Sequence, residues 1–375
     1  MAIDKLKKVL SHLKELFVGK DDVIDLLGIA LIARENAFLL GPPGTAKSAI
    51  VKQMSDCIEG GNNFEYLLTR FTEPSEIFGP FDIRKLKEGS LVTNIEGMMP
   101  EASLVFLDEI FNANSALLNS LLMSLNEKVF RRGKELLKLP TLMFVGASNL
   151  LPEDEALDAL LDRFLVRIKC DYVDTDLLDQ VLIAGWNLEN AERKISPSIL
   201  PEDIQKLQAE SRKIDLSEVR KPYVNLVHSL RNTGINVSDR RAVKFQNLIA
   251  ASALICGRDK AMISDLWILK SIWDSEEQIE LLAGLVDNVI EKDITSEAHP
   301  QARYNKNPDA EELMKEVNLL KEKWESEGLT FEEKNVIKDK LRYVQTRSRW
   351  ISNVEQKEHL EKEINELWQA MLKSI

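Results

Sequence analysis

The chain has 375 residues, enough for two or three domains, and its 44% hydrophobic and 29% charged residues are typical of a globular protein. Its 61 acidic residues outnumber 49 basic ones and leave a net charge of −12, which argues against a nonspecific nucleic-acid binder. No apolar run approaches the roughly 20 residues of a membrane-spanning helix. Met1–Leu10 has the pattern of a charged amphipathic helix and not of a signal peptide. The three cysteines are far apart without metal-ligand spacing, which indicates free thiols, and we expect a cytoplasmic protein.

Two helices are predicted before the first strand. Apolar residues recur at helical spacing over Leu6–Leu16, and Asp21 or Asp22 can cap a second helix that continues through Leu31. Between them, Phe17-Val18-Gly19-Lys20 breaks the pattern. A Val-Gly element ahead of a phosphate loop can pack against an adenine ring, but an ordinary turn between helices explains the spacing equally well.

The strongest signal is a glycine-rich turn between an apolar strand and a helix. Ala37–Leu40 is typical of a buried strand, and Ala49–Met54 is predicted to be helical. The turn that joins them is Gly41-Pro42-Pro43-Gly44-Thr45-Ala46-Lys47-Ser48. Such a turn directs backbone N–H groups at one point, and the helix N-terminus adds partial positive charge there. The sequence therefore predicts a phosphate-binding loop.

Two side chains of this loop have the chemistry that a nucleotide needs. Lys47 can reach the β- and γ-phosphates, and the Ser48 hydroxyl can be a ligand of Mg²⁺. Ala46 stands where glycine is usual. Because alanine permits a helical backbone, we expect only a small energetic cost at this position.

A second strong signal follows about 55 residues later, after a second strand candidate at Phe64–Leu68 and an insertion over Phe81–Gly97. The apolar run Ser103–Leu107 ends in Asp108-Glu109. In a phosphate-loop protein the first carboxylate holds Mg²⁺, and the second can orient and deprotonate the attacking water. An acidic helix cap after a buried strand is the alternative.

Three further strand signals complete the predicted sheet region. Val129–Leu137 predicts a hairpin, and Thr141–Gly146 predicts a buried strand followed by Asn149, whose amide could hold the lytic water or the γ-phosphate. Phe164–Ile168 predicts a fifth core strand. Arg163 precedes this strand and Arg167 lies in it. Both are candidate functional arginines, although a lone arginine usually lies on the surface.

Helical patterns replace strand signals after Asp174. They run over Asp176–Trp186, Pro201–Ser211, Leu216–Thr233 and Asp239–Ile255, and charge-rich helices follow in Glu311–Trp324 and Phe331–Ile375. Ser238 is a candidate N-cap. Arg240 and Arg241 begin the last long helix of the first group, where their charge opposes the helix dipole. This conflict suggests that they bind something else, such as a phosphate.

These motifs, in this order, resemble those of an AAA+ ATPase, and most closely those of the MoxR family. The segments Gly146–Glu153 and Val237–Arg241 are similar to the RavA subgroup of that family. The resemblance covers about residues 1–290. It implies an α/β fold: an AAA+ αβα core with a five-stranded parallel sheet over residues 1–172, an α-helical lid over 173–295, and a helical C-terminal extension over 296–375.

The resemblance also implies roles for individual residues. Lys47 and Ser48 would belong to Walker A, Asp108 and Glu109 to Walker B, and Asn149 would be sensor 1. Arg163 would be the arginine finger and Arg240 the sensor 2 arginine, with Arg167 and Arg241 as the neighbouring alternatives. Phe81–Gly97 would be the helix-2 insert and Val129–Leu139 the pre-sensor 1 hairpin. The nucleotide-binding set would be Val18, Gly19, Gly41 through Ser48, Ala49, Asp108 and Arg240.

The function implied by this resemblance is hydrolysis of ATP with Mg²⁺ between the subunits of a hexameric ring. The family acts in a chaperone-like way on other proteins, and its usual partner contains a von Willebrand factor A domain. Three alternatives remain open: a nucleotide-gated scaffold with negligible hydrolysis, a subunit like that of magnesium chelatase, and a DNA-directed motor, which the net charge disfavours.

Overall fold

The computed structural model describes residues 1–88, 92–132, 135–152, 154–190, 196–290, 297–303, 310–325, 334, 337–338, 340–341, 344–345, 348 and 354–373. Parts of four predicted segments lie outside these residues: Glu153, residues 133–134 of the hairpin, residues 89–91 of the insertion, and much of the predicted helical segment 331–375. None of the described helices is both long enough and apolar enough to cross a bilayer.

The chain forms two compact units. The first comprises Met1–Leu216 with Arg240–Ala261, and the second comprises Ser217–Asp239 with Met262–Ile375. This division differs from the expected domain boundaries after residues 172 and 295. Those boundaries remain predictions, because compact units and domains need not coincide.

Helices account for most of the described residues. They are α1 (Ala2–Leu16), α2 (Asp21–Ala33), α3 (Lys47–Asp56), α4 (Pro74–Phe78), α5 (Ile83–Lys87), α6 (Ser115–Glu127), α7 (Glu155–Leu161), α8 (Leu178–Asn190), α9 (Pro201–Ser211), α10 (Ser217–Asn232), α11 (Asp239–Ile255), α12 (Glu277–Ile290), α13 (Pro300–Arg303), α14 (Ala310–Glu325) and α15 (Val354–Lys373). Short 3₁₀ segments occur at Met99–Glu101, Ile110–Asn112, Thr175–Leu177 and Ile263–Ser271.

The strands of the first unit form one large sheet and one hairpin. They are β1 (Ala37–Leu40), β2 (Asn63–Leu67), β3 (Leu104–Asp108), β4 (Val129–Arg132), β5 (Glu135–Lys138), β6 (Met143–Ser148) and β7 (Val166–Lys169). The large sheet is parallel with the order β2-β3-β6-β1-β7, and β4 pairs with β5 in the antiparallel hairpin. The predicted α/β core with five parallel strands is confirmed.

The centre of the sheet is buried on both faces, as its apolar strands require. All four residues of β1 and all six of β6 are buried. Helix α2 is buried from Val23 to Ala33 because it packs against α1, α9 and β7. These layers hold the strand ends in fixed positions.

The strand order determines where the predicted site residues lie. Strands β3, β6 and β1 are neighbours and run in the same direction. Gly41, Asp108 and Asn149 lie at or directly after the carboxyl ends of these strands, where open α/β sheets bind ligands. The fold thus brings together the three motifs that are separated by up to about 100 residues in the sequence.

The insertion after β2 is a short excursion whose two ends pair with each other. Phe81 and Thr93 form an antiparallel bridge, and the Asp82 N–H donates to the Val92 carbonyl at 2.8 Å. Helix α5 lies between them, and its N-cap is Asp82, whose carboxylate accepts from the N–H groups of Arg84 and Lys85.

In the second unit, the C-terminal helices have a hydrophobic core of their own. Helices α14 and α15 pack together and bury apolar residues at helical spacing, among them Leu313, Val317, Leu360 and Ile364. Leu341 contributes from the segment between these helices. The predicted C-terminal helices are therefore held by burial of an apolar stripe.

Gly41 marks the closest approach between the start of the phosphate loop and the end of β7. A Cβ atom at this position would lie 2.1 Å from the Cys170 carbonyl oxygen, which is backbone and cannot rotate away. Cys170 is itself held by a 2.6 Å hydrogen bond from its N–H to the Leu40 carbonyl. Only glycine fits between β1 and β7 at this point.

We predict that Gly41→Ala lowers the stability of the chain by about 2 to 4 kcal/mol, because the two backbones must separate. In thermal unfolding the midpoint should fall by about 5 to 10 °C. Gly185→Ala is the matched control, since Gly185 lies in α8 with open space around it. Equal midpoints for the two variants would contradict this close approach.

Candidate nucleotide-binding site

The loop between β1 and α3 is held by its own backbone and side chains. The Gly41 N–H donates to the Ser148 carbonyl at 3.2 Å, and the Thr45 hydroxyl donates to the Pro42 carbonyl at 2.9 Å. Helix α3 begins at Lys47 and has no acidic residue in its first turn. The partial positive charge of this helix N-terminus is thus not offset by a carboxylate of its own first turn.

Ala46 differs from its expected conformation. It has φ 65° and ψ 18°, which is left-handed, where we expected an ordinary right-handed helical backbone. An alanine in this region is strained, because its Cβ crowds the backbone in a way that glycine avoids. We expected a small energetic cost because alanine suits a right-handed helical backbone. The left-handed backbone overturns that premise, so alanine in place of the usual glycine is costly at this position.

Lys47 is nearly buried, with 7% of its surface exposed. Its ammonium donates to the carbonyls of Gly41 (2.5 Å) and Pro42 (3.0 Å) and to Oδ1 of Asn149 (3.0 Å). Each of the three N–H donors of the Lys47 ammonium therefore has one acceptor. A phosphate oxygen that approaches Lys47 has to replace one of them.

Asn149 connects the lysine to the second carboxylate. Its Oδ1 accepts from Lys47, and its Nδ2 donates to Oε1 of Glu109 at 2.5 Å. The cation on one side and the carboxylate on the other fix which end of the amide is oxygen. The predicted association of the phosphate loop, the carboxylate pair and the amide is therefore realised in a chain of direct contacts.

The oxygen atoms of Ser48 and Asp108 are suited to a magnesium ion. The Ser48 hydroxyl donates to Oδ2 of Asp108 at 3.1 Å, and Oδ1 of the same carboxylate accepts from the Glu109 N–H at 3.0 Å. Mg²⁺ prefers such hard oxygen ligands and usually takes one or two carboxylates together with phosphate oxygens. The donor set at this place fits that ion.

Glu109 is held in a strained conformation. It has φ 51° and ψ 46°, which is rare for a residue with a side chain and is typical of functional sites. Burial raises the pKa of its carboxyl, the charge of Asp108 raises it further, and Lys47 acts in the opposite direction. A carboxylate with a raised pKa is a better proton acceptor at neutral pH.

These groups line a cleft of about 350 Å³ at the carboxyl edge of the sheet. Its walls are residues 43–49 with Leu67, Asp108, Glu109 and Asn149. The cleft therefore contains the central part of the predicted site, including Ala49. Gly41 and Pro42 lie behind it and contact Lys47 through their carbonyls.

Val18 and Gly19 are outside this cleft but adjoin a segment that also touches the loop. Gly19 has φ 74° and lies against Val173. The neighbouring Tyr172 hydroxyl donates to the Pro43 carbonyl at 3.2 Å. Residues 170–173 carry no recognisable sequence pattern apart from their position after the fifth strand, so this connection was not predicted.

The four candidate arginines differ in exposure. Arg167 lies in β7 with 1% of its surface exposed and donates to the Leu161 carbonyl at 3.2 Å. Arg241 is buried, lies 5.6 Å from the ring centroid of Phe245 and is 3.9 Å from Asp162. None of the four lines the cleft.

The other two arginines reach solvent. The side chain of Arg163 is 22% exposed and pairs with Asp162 at 3.1 Å. Arg240 is exposed, and its guanidinium donates to Oδ1 of Asn126 at 3.1 Å. Both contacts are partly solvated, so exchanging either of them for a contact with a ligand anion costs little free energy.

Comparison with known proteins gives two matching family models. Residues 4–209 match the MoxR domain of the MoxR-vWA-beta-propeller ternary systems, and residues 215–286 match an AAA lid domain. The first match covers more than half of the chain.

Individual relatives agree with these matches. An uncharacterized protein of Methanocaldococcus jannaschii is 36% identical over 273 residues, 72% of each chain. The chaperone MoxR1 of Mycobacterium tuberculosis is 25% identical over 174 residues, 45% of each chain. A solved structure from Cytophaga hutchinsonii, presented as a candidate ATPase, superposes with a TM-score of 0.59 at 20% identity over 70% of this chain and 84% of that one. At this identity, the likeness supports the fold alone.

The raised pKa of Glu109 predicts a change in stability with pH. A carboxyl whose pKa is higher in the folded than in the unfolded chain destabilises the fold once it ionises, so stability is lost as the pH rises through that range. Glu109→Gln keeps an acceptor for Asn149 and removes the charge. Its unfolding midpoint should therefore exceed that of wild type at pH 7.5.

The gain should shrink as the pH falls toward 4.5, because wild-type Glu109 then becomes neutral as well. Thermal unfolding across this range measures the difference. Glu65→Gln, on the exposed side of β2, controls for the general removal of one negative charge. A gain that is independent of pH, or a loss, would contradict the assigned environment of Glu109.

Proposed function

The chain belongs to the MoxR family of AAA+ proteins, and we propose on that basis that it binds ATP with Mg²⁺ in the cleft described above and hydrolyses it. The observation that carries this proposal is the Asn149 amide, which joins the Lys47 ammonium to the Glu109 carboxylate. Hydrolysis of a terminal phosphate needs a cation for its oxygens, a base for the water and a polar group that positions both.

The proposed steps follow from the contacts of these side chains. Lys47 exchanges one of its acceptors for a phosphate oxygen. Asn149 then keeps its contact with Glu109, and the two can hold a water in line with the terminal phosphorus. Glu109 accepts the proton of this water as its oxygen bonds to phosphorus and ADP leaves. Ser48 and Asp108 would hold Mg²⁺, which when bound neutralises the charge on the phosphate oxygens.

We further propose that the active site is completed by a second copy of the chain in a hexameric ring. Arg163 is the proposed finger, since it is partly exposed and lies outside the cleft of its own chain, whereas Arg167 is enclosed in β7. Arg240 is the proposed sensor 2 residue, because Arg241 is buried against Phe245.

The proposed biological role is chaperone-like remodelling of protein clients in the cytoplasm, together with a protein that contains a von Willebrand factor A domain. The matched family description, which names MoxR–vWA systems, supports this partner, and the match to a chaperone supports the role. The segments Gly146–Glu153 and Val237–Arg241 support a place in the RavA subgroup.

We predict that Glu109→Gln binds ATP with wild-type affinity but hydrolyses it about 10² to 10⁴ times more slowly, because the base is lost and the phosphate contacts are not. Binding is measured with a fluorescent ATP analogue and turnover by phosphate release, with Glu65→Gln as the control. Full turnover by Glu109→Gln would overturn the proposal. A wild-type chain that binds ATP but shows no turnover at any concentration would identify it as a nucleotide-gated scaffold.

A mixing experiment tests whether Arg163 acts on the neighbouring subunit. Arg163→Ala alone should lose about 10³-fold or more of the rate. In a one-to-one mixture of Arg163→Ala and Glu109→Gln, about a quarter of the interfaces combine an intact Glu109 with an intact Arg163, so activity should return. Arg220→Ala, an exposed arginine of α10, is the control. A mixture as inactive as its components would contradict a shared site.

A further inference from the structure

A second cleft lies in the first unit, at the opposite end of the sheet from the nucleotide site. Its volume is about 500 Å³. It is lined by Arg34, residues 138–142, three residues of α9 (Gln205, Gln208 and Ala209) and Arg212. Arg34 precedes β1, and residues 138–142 precede β6, so the cleft adjoins the amino ends of the two strands whose carboxyl ends lead to Gly41 and Asn149.

The charged side chains of this cleft are all cationic. Arg34, Lys138 and Arg212 are exposed, lie at the ends of three different elements and are accompanied by no carboxylate in the lining. Among the described residues, no carboxylate lies within 4 Å of their charged groups, whereas Lys14, Lys244 and other cations of the same unit are paired. Such a cluster is unexpected in a chain with a net charge of −12.

A fourth basic side chain lies behind the wall of the cleft. Lys128 is only 8% exposed, and its ammonium donates to the carbonyl of Leu142, a lining residue, at 2.7 Å. Burial is the main cause that lowers the pKa of Lys128 to about 7, and the charge of Arg34 lowers it further. The charge of Glu35 raises this pKa, but the two carboxylate oxygens of Glu35 already accept hydrogen bonds from Lys244 (2.8 Å) and Asn247 (3.2 Å).

Stabilisation of the helix ends explains only part of this arrangement. Arg34 and Arg212 follow the last residues of α2 and α9, where a cation gains about 0.3 to 1 kcal/mol from the helix dipole. Lys138 ends strand β5 and has no such role. The dipole also gives no reason for three cations to surround one cavity.

We propose that this cleft binds a small anion that carries two or more phosphate groups. Two guanidinium groups can each bind a phosphate through a pair of hydrogen bonds, and Lys138 adds a point charge. The apolar side chains of Leu139, Pro140 and Ala209 can cover the organic part of a phosphate ester, and the volume is that of an ordinary ligand site.

The cleft can be filled independently of the nucleotide site. Strand β1 has four residues and β6 has six, which separates the two sites by about 13 to 20 Å. Because the two sites share no lining residue, variants of the cleft leave the phosphate loop intact. Binding at the cleft is therefore measurable whether or not the chain hydrolyses ATP.

The test is calorimetric titration of the full chain in the Lys47→Ala background, which removes the phosphate loop as a competing site. The probes are inorganic tripolyphosphate, fructose 1,6-bisphosphate as an organic ester, and a hexaglutamate peptide. We expect one equivalent of a phosphate probe to bind. Tighter binding of the bisphosphate indicates an organic ligand, and tighter binding of tripolyphosphate an inorganic one.

Adding Arg34→Gln and Arg212→Gln should weaken binding about tenfold or more, since charged hydrogen bonds are lost. Adding Lys138→Gln alone should weaken phosphate binding about threefold or more. This variant tests the cleft even if the double change disturbs the helix ends. The matched control is Arg220→Gln with Lys221→Gln, two exposed cations of α10, and should change the affinity less than twofold.

Three results would overturn the proposal. They are the absence of phosphate binding in the Lys47→Ala chain, an equal loss of affinity in the control variant, and tighter binding of hexaglutamate than of either phosphate probe.

Discussion

The candidate site depends on one contact, in which the Asn149 amide lies between the Lys47 ammonium and the Glu109 carboxylate. An amide can accept from a cation through its oxygen and donate to an anion through its nitrogen in the same orientation. It holds two opposite charges close to each other without letting them form an ion pair. A phosphate oxygen therefore has to displace only an uncharged acceptor from Lys47. The arrangement requires β1, β3 and β6 to be neighbours that run in the same direction.

Two strained backbone positions lie at the same end of the sheet. Ala46 and Glu109 both have positive φ, one next to Lys47 and the other next to Asp108. Such residues cost about 1 to 3 kcal/mol each and persist only where the surrounding structure is rigid. The buried strands and α2 provide that rigidity. The opposite end of the sheet also has positive φ, at Arg34 and Lys128, and differs in its charge, because Arg34, Lys138 and Arg212 line one cleft there.

The core and the centre of the site could be predicted because their signals are local. A glycine-rich turn, two carboxylates and an amide each follow an apolar run, and parallel strands bring their carboxyl ends together. The left-handed Ala46 was missed because side-chain identity does not report φ. The contacts of residues 170–173 with Pro43 and Gly19 were missed because no local pattern marks them. The cationic cleft was missed because its members are up to about 180 residues apart in the sequence.

The most direct test of the proposed shared, ATP-hydrolysing site is the rate of phosphate release per subunit, measured for the wild-type chain over a wide range of protein concentration. A site completed by a neighbouring copy predicts a steep rise in this rate as the chains assemble, followed by a plateau. A rate per subunit that stays constant down to clearly monomeric concentrations would show that one chain is sufficient. Such a result would contradict the proposed role of Arg163 on the neighbouring subunit and the proposed hexameric ring.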